Sequence, residues 1–152
     1  MKTNLHQLSP PSIYSQDFNL WIQQTTSQIR SGNFDLVDWE NVVEELESLG
    51  KSDQRELKSR LAVLLMHLLK YKYQPEKRSK SWLITIFEQR QRIMDLLSDS
   101  PSLKGYLNEV FQAAYQEGCK KASLETDLPI KTFPTESPFN KDESLNPDYL
   151  PD

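Results

Sequence analysis

The amino-acid sequence predicts an all-α fold, a bundle of about five helices that ends in an extended tail rich in proline and aromatic residues. Three observations favour this fold class. The chain has only four glycines in 152 residues. Its longest stretches repeat apolar residues at intervals of three and four, as helices do, and no convincing stretch alternates apolar and polar residues as a half-buried strand would. A chain of this length is the usual size of one domain, so we expect a single helical domain over residues 1–152.

Within that domain we expect a flexible N-terminus at residues 1–13, a helical bundle at residues 14–126 and an irregular tail at residues 127–152. The first helix should begin near Ser15 and run to Gly32. Asp38 should cap a second helix that stops at Gly50, because glycine is frequent at helix C-termini. We expect the second helix to turn four apolar residues inward, namely Trp39, Val42, Leu46 and Leu49.

A third helix should run from Ser52 to about Gln74, where Pro75 ends it. Its leucines cover more than half of its circumference, which predicts that neighbours pack on several sides; they are Leu57, Leu61, Leu64, Leu65, Leu68 and Leu69. A fourth helix should run from about residue 78 or 79 to Ser98. A fifth should open at Ser100, with proline at its first position, and reach Thr126.

The tail differs in composition from the helices that precede it. Five prolines fall within 23 residues, and aromatic residues recur among them. A disordered tail usually lacks aromatic residues at such intervals. We therefore expect Phe133, Phe139 and Tyr149 to dock on the bundle surface.

The net charge, the cysteine count and the length of the apolar runs argue against several classes of protein. A formal net charge of -4 argues against a chain whose whole surface binds nucleic acid or membrane. The single Cys119 cannot form an internal disulfide, and the first residues lack the apolar core of a secretion signal. The longest apolar run, Leu61 to Leu69, is interrupted by His67 and is far shorter than the roughly 18 residues of a membrane-spanning helix. We expect a cytoplasmic protein without a membrane segment.

Two helices carry polar residues where apolar ones are expected. At about 100° per residue, Arg60 and His67 fall on one line along the third helix among its leucines. Arg90 projects between apolar residues of the fourth helix. A buried arginine stays charged and needs an anionic partner, so an acidic residue should face it, with Glu45 the first candidate and Asp38 the second. The sequence thus predicts an interior polar cluster of Asn41, Glu45, Arg60, His67 and Arg90.

This cluster has two interpretations that the sequence leaves open. Buried polar groups must be paired wherever they occur, so the cluster can simply fix the packing of the helices. Groups with shifted pKa values also gather at ligand-binding and active sites, so a functional site is the second interpretation, behind the structural one.

Several segments of the chain resemble one known family. They are "YSQDFNLW", "VDWENVVEELESLG", "LLMHLLKYKYQPEKRSKSWLITIFEQR", "SPSL", "LET" and "FPTESPF". Together they resemble the bacterial, largely cyanobacterial family called domain of unknown function twenty-nine, over about residues 14 to 150. The resemblance implies an almost wholly helical fold and leaves activity open. It also implies that a shared role would lie at the matching residues Asn41, Glu44, Glu45, Arg60, His67, Lys70, Gln74, Pro75, Arg78, Ser81, Trp82 and Arg90.

Catalytic and metal chemistry have little support in the sequence. Two histidines, one of them at His6 near the N-terminus, give no metal-binding pair, and no glycine pattern indicates a nucleotide or other cofactor. The best enzymatic candidates are Arg60 and His67. Their spacing resembles the arginine and histidine signature of the helical ribonuclease toxins called HEPN domains, in which histidine moves a proton and arginine stabilises the phosphate.

A basic segment follows the core helix and suggests another class of partner. Its cations and tryptophan suit phosphate contact and base stacking; they are Lys70, Lys72, Lys77, Arg78, Lys80 and Trp82. The alternative is a solvated corner between two helices, or a surface that faces the acidic segment of residues 35–56 within the fold or in a partner. We expect a non-catalytic interaction or regulatory module with a protein partner or a second copy. An RNA-directed ribonuclease-like or RNA-binding protein is the alternative.

Overall fold

The computed structural model describes residues 12–152 and is mostly helical, with no strand among those residues. It has six α-helices, four of them long, which confirms the predicted fold class. The flexible N-terminus expected at residues 1–13 falls almost wholly outside the described residues, as does His6. The helices are α1 Ile13–Gln16, α2 Phe18–Arg30, α3 Trp39–Tyr73, α4 Lys80–Asp99, α5 Leu103–Thr126 and α6 Lys141–Leu145.

The chain forms two compact units, one ending at Leu49 and one spanning Gly50–Asp152. The N-terminal unit holds α1, α2, a 3₁₀ turn at Phe34–Leu36 and the first part of α3. Asp17 separates α1 from α2 and caps α2 by accepting a hydrogen bond from the amide of Leu20 at 2.9 Å. The rings of Tyr14, Phe18 and Trp21 pack on one another within this unit.

The helix break predicted at Gly50 was wrong. Instead of two helices, a single helix of 35 residues, α3, runs from Trp39 to Tyr73. A glycine inside a helix costs only about 1 kcal/mol relative to alanine, so it does not by itself end one. The cap-like sequence from Ser52 to Glu56 lies within the continuing helix. The predicted third helix therefore ends where expected, before Pro75, but begins 13 residues earlier.

The hydrophobic core of the C-terminal unit surrounds the leucines of α3. Leu57, Leu61, Leu64, Leu65, Leu68 and Leu69 are all fully buried, as predicted. The helix α5 comes very close to α3 at Gly118, where an added Cβ would stand 3.1 Å from the carbonyl oxygen of Ala62 and 3.2 Å from the amide nitrogen of Met66. A glycine at this position therefore sets how closely the two helices pack.

The C-terminal tail packs on this core. Phe133 and Phe139 are buried and Tyr149 is half-buried against the core, as predicted. The hydroxyl group of Tyr115 on α5 donates a hydrogen bond of 2.6 Å to the carbonyl of Pro134. Asn140 caps α6 in a capping box with Glu143, so the tail contains a short helix that the sequence analysis did not predict. The tail is thus part of the folded unit.

Candidate functional site

Arg90 of α4 is buried, with 5% of its surface exposed, and all of its hydrogen bonds go to the tail. Its Nε donates to the carbonyl of Ser144 at 2.8 Å. Its Nη2 donates to the carbonyls of Tyr149 at 2.8 Å and Glu143 at 3.5 Å. The carbonyls of residues 143 and 144 lie in the last turn of the short helix α6, and that of residue 143 also accepts from the amide of Asn146 at 3.2 Å. Arg90 therefore anchors the tail.

The prediction that a carboxylate faces Arg90 was wrong. Each hydrogen bond that Arg90 donates ends on a backbone carbonyl, and none of the ion pairs among residues 12–152 includes it. Three carbonyl oxygens stabilise the buried cation in place of a carboxylate. Burial lowers the pKa of Arg90 from its usual value, yet an arginine remains charged at any ordinary pH.

Arg60 and His67 lie two turns apart on α3, in the C-terminal unit, and have separate partners. The Nε of Arg60 pairs with Glu56 at 2.9 Å and its Nη1 reaches Gln89 at 3.4 Å. The Nδ1 of His67 lies 2.9 Å from the carbonyl oxygen of Val63. Burial lowers the pKa of His67 despite that hydrogen bond, which favours the neutral imidazole. Arg60, His67 and Arg90 share no hydrogen-bonding partner, and their joint role stays a prediction.

The other two residues of the predicted polar cluster lie in the N-terminal unit. The side chain of Asn41 donates to Asp38 at 2.6 Å. Glu45 accepts a hydrogen bond of 2.5 Å from the hydroxyl group of Tyr14. That hydrogen bond, together with partial burial, raises the pKa of Tyr14 to about 12. These contacts hold the carboxylate of Glu45 in place beside α2.

Part of the predicted basic surface is used inside the fold. Lys70 is buried, pairs with Glu125 at 2.5 Å and lies 4.7 Å from the ring centre of Trp82. It is therefore not a surface residue, contrary to expectation. The guanidinium of Arg78 lies 4.1 Å from the ring centre of Tyr71 and donates to that residue's carbonyl. The cations of this segment that are exposed or half-buried are Lys72, Lys77, Arg78 and Lys80.

The N-terminal unit exposes most of its large apolar side chains. On α3, Trp39 is 46% exposed, Leu46 is 62% exposed and Leu49 is 64% exposed. The expectation that these three residues point inward was wrong. On α2, Phe18 and Ile22 are exposed as well. The buried residues of the unit, among those described, are Trp21, Thr25 and Val37.

A groove of about 190 Å³ lies between α2 and α3 within the N-terminal unit. We call it the acidic groove, after the net negative charge of the unit that contains it. Its lining is apolar apart from two threonines and the carboxylate of Glu45, and includes Trp21, Ile22, Ile29, Val42 and Leu46. Residues 12–49 hold seven carboxylates and a single arginine, a net charge of -6, whereas residues 50–152 hold 16 cations and 15 carboxylates. The groove is therefore an apolar surface within a strongly acidic unit.

The described residues offer no metal centre. No group of three or more histidine, cysteine, aspartate or glutamate side chains in residues 12–152 is placed to hold an ion. In the same range, no helix combines the length and the apolar character needed to cross a membrane. The arrangement that remains is a set of surfaces, one acidic and apolar and one weakly basic.

Comparison with known proteins gives a family and no activity. The model of the family described as domain of unknown function DUF29 matches residues 13–150. No curated protein and no solved structure matches the chain significantly.

Proposed function

We propose, on the premise that the chain belongs to the family domain of unknown function DUF29, that it is a non-catalytic interaction module. Its acidic groove docks a basic amphipathic helix of a partner protein. The observation that carries the proposal is that Ile22 of α2 and Leu46 of α3 are exposed and line this apolar groove. Isolated exposed apolar residues are normal on proteins, but contiguous ones mark interaction surfaces.

The spacing of the exposed residues suits a helical partner. Trp39, Val42, Leu46 and Leu49 repeat at intervals of three and four along α3, so they form one stripe beside α2. An apolar groove between two helices is the kind of surface in which a third helix lays its apolar face. Residues 12–49 are also too few to bury a sizeable core alone, and only three of them are buried. A docked helix would complete that core.

Charge selects the partner. Glu40, Glu44 and Glu47 lie on the side of α3 that faces away from the apolar stripe, and Glu45 lines the groove itself. A helix rich in lysine or arginine on its polar face would meet Glu45 in the groove and would be attracted by the net negative charge of the unit. A second copy of this chain would bring another unit of charge -6 against the first, with no cation besides Arg30 to pair with the carboxylates. A basic partner is therefore favoured over self-association.

A labelled peptide tests the groove directly. The probe is a 14-residue peptide of leucine and lysine, with leucines at helical spacing, titrated with the full chain and followed by fluorescence anisotropy. We expect saturable binding that weakens as salt rises. Substituting leucines 46 and 49 together by serine should weaken binding at least tenfold, because each removes an apolar contact worth about 1 kcal/mol or more.

Matched controls separate a specific groove from general attraction to an acidic protein. The control variant is Leu124→Ser, which removes an equally apolar side chain that is 81% exposed in the C-terminal unit. The control peptides are one with glutamate in place of lysine and one of the same composition with scrambled order. Equal binding of the scrambled peptide, or equal loss in both leucine variants, would refute docking in the groove. Sedimentation that shows a dimer dissociated by Leu46→Ser would replace the partner helix by a second copy.

A further inference from the structure

A second groove lies in the C-terminal unit, and its chemistry differs from that of the acidic groove. It has a volume of about 440 Å³ and lies between the end of α4, the start of α5 and α6. Small-molecule sites commonly have volumes of about 300 to 1,000 Å³. Leu97 and Leu107 are nearly fully buried beneath it, and Met94 and Leu145 line it with more exposed apolar atoms. Apolar side chains that a ligand could contact therefore line the groove.

The polar lining of this groove is mainly cationic. Lys104 and Lys141 line it together with a single carboxylate, that of Asp142. Lys141 donates a hydrogen bond of 2.8 Å to the side-chain oxygen of Asn108, which leaves its charge unneutralised. None of the ion pairs found in residues 12–152 includes either lysine. Lys104 also lies in the first turn of α5, where the helix dipole favours an anion.

The apolar surface of this groove continues along α4. A smaller groove of about 90 Å³ shares Pro147 with the larger one, and its lining is apolar apart from Arg90, whose donors are directed at the tail carbonyls; the apolar residues are Leu83, Ile86, Phe87 and Leu150. Phe87 is 63% exposed and Met94 is 48% exposed on the same side of α4. From residue 83 to residue 94 the helix rises about 16 Å. The apolar surface is therefore long and narrow, with the lysines near one end.

We propose that this groove binds a free fatty acid. The acyl chain lies along α4 from Met94 toward Phe87, and the carboxylate is held by Lys104 and Lys141. A linear chain matches the elongated apolar surface, and a single negative charge matches the excess of one cation over the carboxylates at the groove. The inference is independent of the helix-docking function, because it rests on residues of the other unit.

Three ligands with the same ten-carbon chain test the assignment. Decanoate, decanol and decyltrimethylammonium are titrated into the full chain by isothermal titration calorimetry, the two ionic ligands below their micelle concentrations and decanol below its solubility limit. We expect saturable binding of decanoate, binding of decanol about tenfold weaker because it lacks the carboxylate, and no binding of the cation. The variant Lys104→Gln should weaken decanoate binding about three- to tenfold and leave decanol unchanged.

The apolar part is tested by Met94→Ser, with Leu124→Ser as the control for loss of an exposed apolar side chain. Met94→Ser should weaken decanoate and decanol alike, and the control should change neither. Equal affinity for decanoate and decanol, or no saturable decanoate binding at millimolar concentration, would overturn the proposal. Binding to vesicles that contain anionic lipid, in the absence of decanoate binding, would also overturn it in favour of a membrane headgroup. If Met94→Ser does not fold, the surface variant Lys104→Gln still tests whether the groove binds the carboxylate of decanoate.

Discussion

Replacing Gly50 by alanine tests the continuity of α3 directly. Gly50 lies inside a helix, and an added Cβ would meet no atom within 4 Å. Alanine should therefore raise the free energy of unfolding by about 1 kcal/mol, since it restricts the unfolded chain and favours the helix. With a urea slope of about 2 kcal/mol/M, the midpoint of unfolding should rise by about 0.5 M. Circular dichroism at increasing urea concentration measures the midpoint.

Gly32→Ala supplies the contrast for that measurement. Gly32 also has no atom within 4 Å of an added Cβ, but its φ is +76°. Alanine in that conformation costs about 1 to 2 kcal/mol, so the midpoint should fall. If Gly50→Ala lowers the midpoint by a similar amount, Gly50 has a left-handed conformation and ends a helix, as the sequence alone predicted. That result would refute the continuous helix and the placement of the residues around it.

Three further predictions concern the C-terminal unit. Gly118→Ala should lower the free energy of unfolding in urea by about 1 to 3 kcal/mol, because its Cβ would press on the α3 backbone. Gly105→Ala should instead raise the free energy of unfolding, because an added Cβ there meets no atom within 4 Å. Arg90→Lys keeps the charge but loses the three-way contact with the tail, so limited proteolysis should cut residues 140–152 faster than in the exposed control Arg92→Lys. The lowered pKa of His67 means that the unfolded chain binds its proton first, so stability should fall as pH drops below about 6.5 and level off below the folded-state pKa. His67→Gln should flatten that dependence in urea midpoints measured at pH 7.5 and 5.5, and an unchanged slope would show that His67 does not cause it.

The sequence predicted the buried side chains better than the helix boundaries. The leucines of α3 and the phenylalanines of the tail are buried because removing apolar side chains from water is favourable wherever a core is within reach. The boundary at Gly50 failed because a glycine is compatible with both a helix end and a helix interior, and the difference between the two is only about 1 kcal/mol. Packing that the local sequence does not contain decides between them.

The same distinction explains what was found and missed at the candidate site. Burial of Arg90 could be predicted because its neighbours on α4 are apolar. Its partners could not, since they are backbone carbonyls more than 50 residues away and a carbonyl is present at every position. For Trp39, Leu46 and Leu49, periodicity showed that one side of the helix is apolar. Periodicity does not show whether the chain itself or another molecule covers that side, and in the structure these side chains are exposed.

Binding of a basic helix and binding of RNA should depend on salt in a similar way, but the two functions require different side chains. Both involve opposite charges, so both weaken as salt rises, and salt dependence alone cannot separate them. RNA would need the lysines at positions 72, 77 and 80 beside the exposed Arg78, because Lys70 is buried and paired with Glu125. It would also meet a net charge of -6 on the N-terminal unit. A basic helix needs that acidic charge and the exposed Leu46, so a binding partner lost with Leu46→Ser but retained when the three lysines become glutamine is a helix and not RNA.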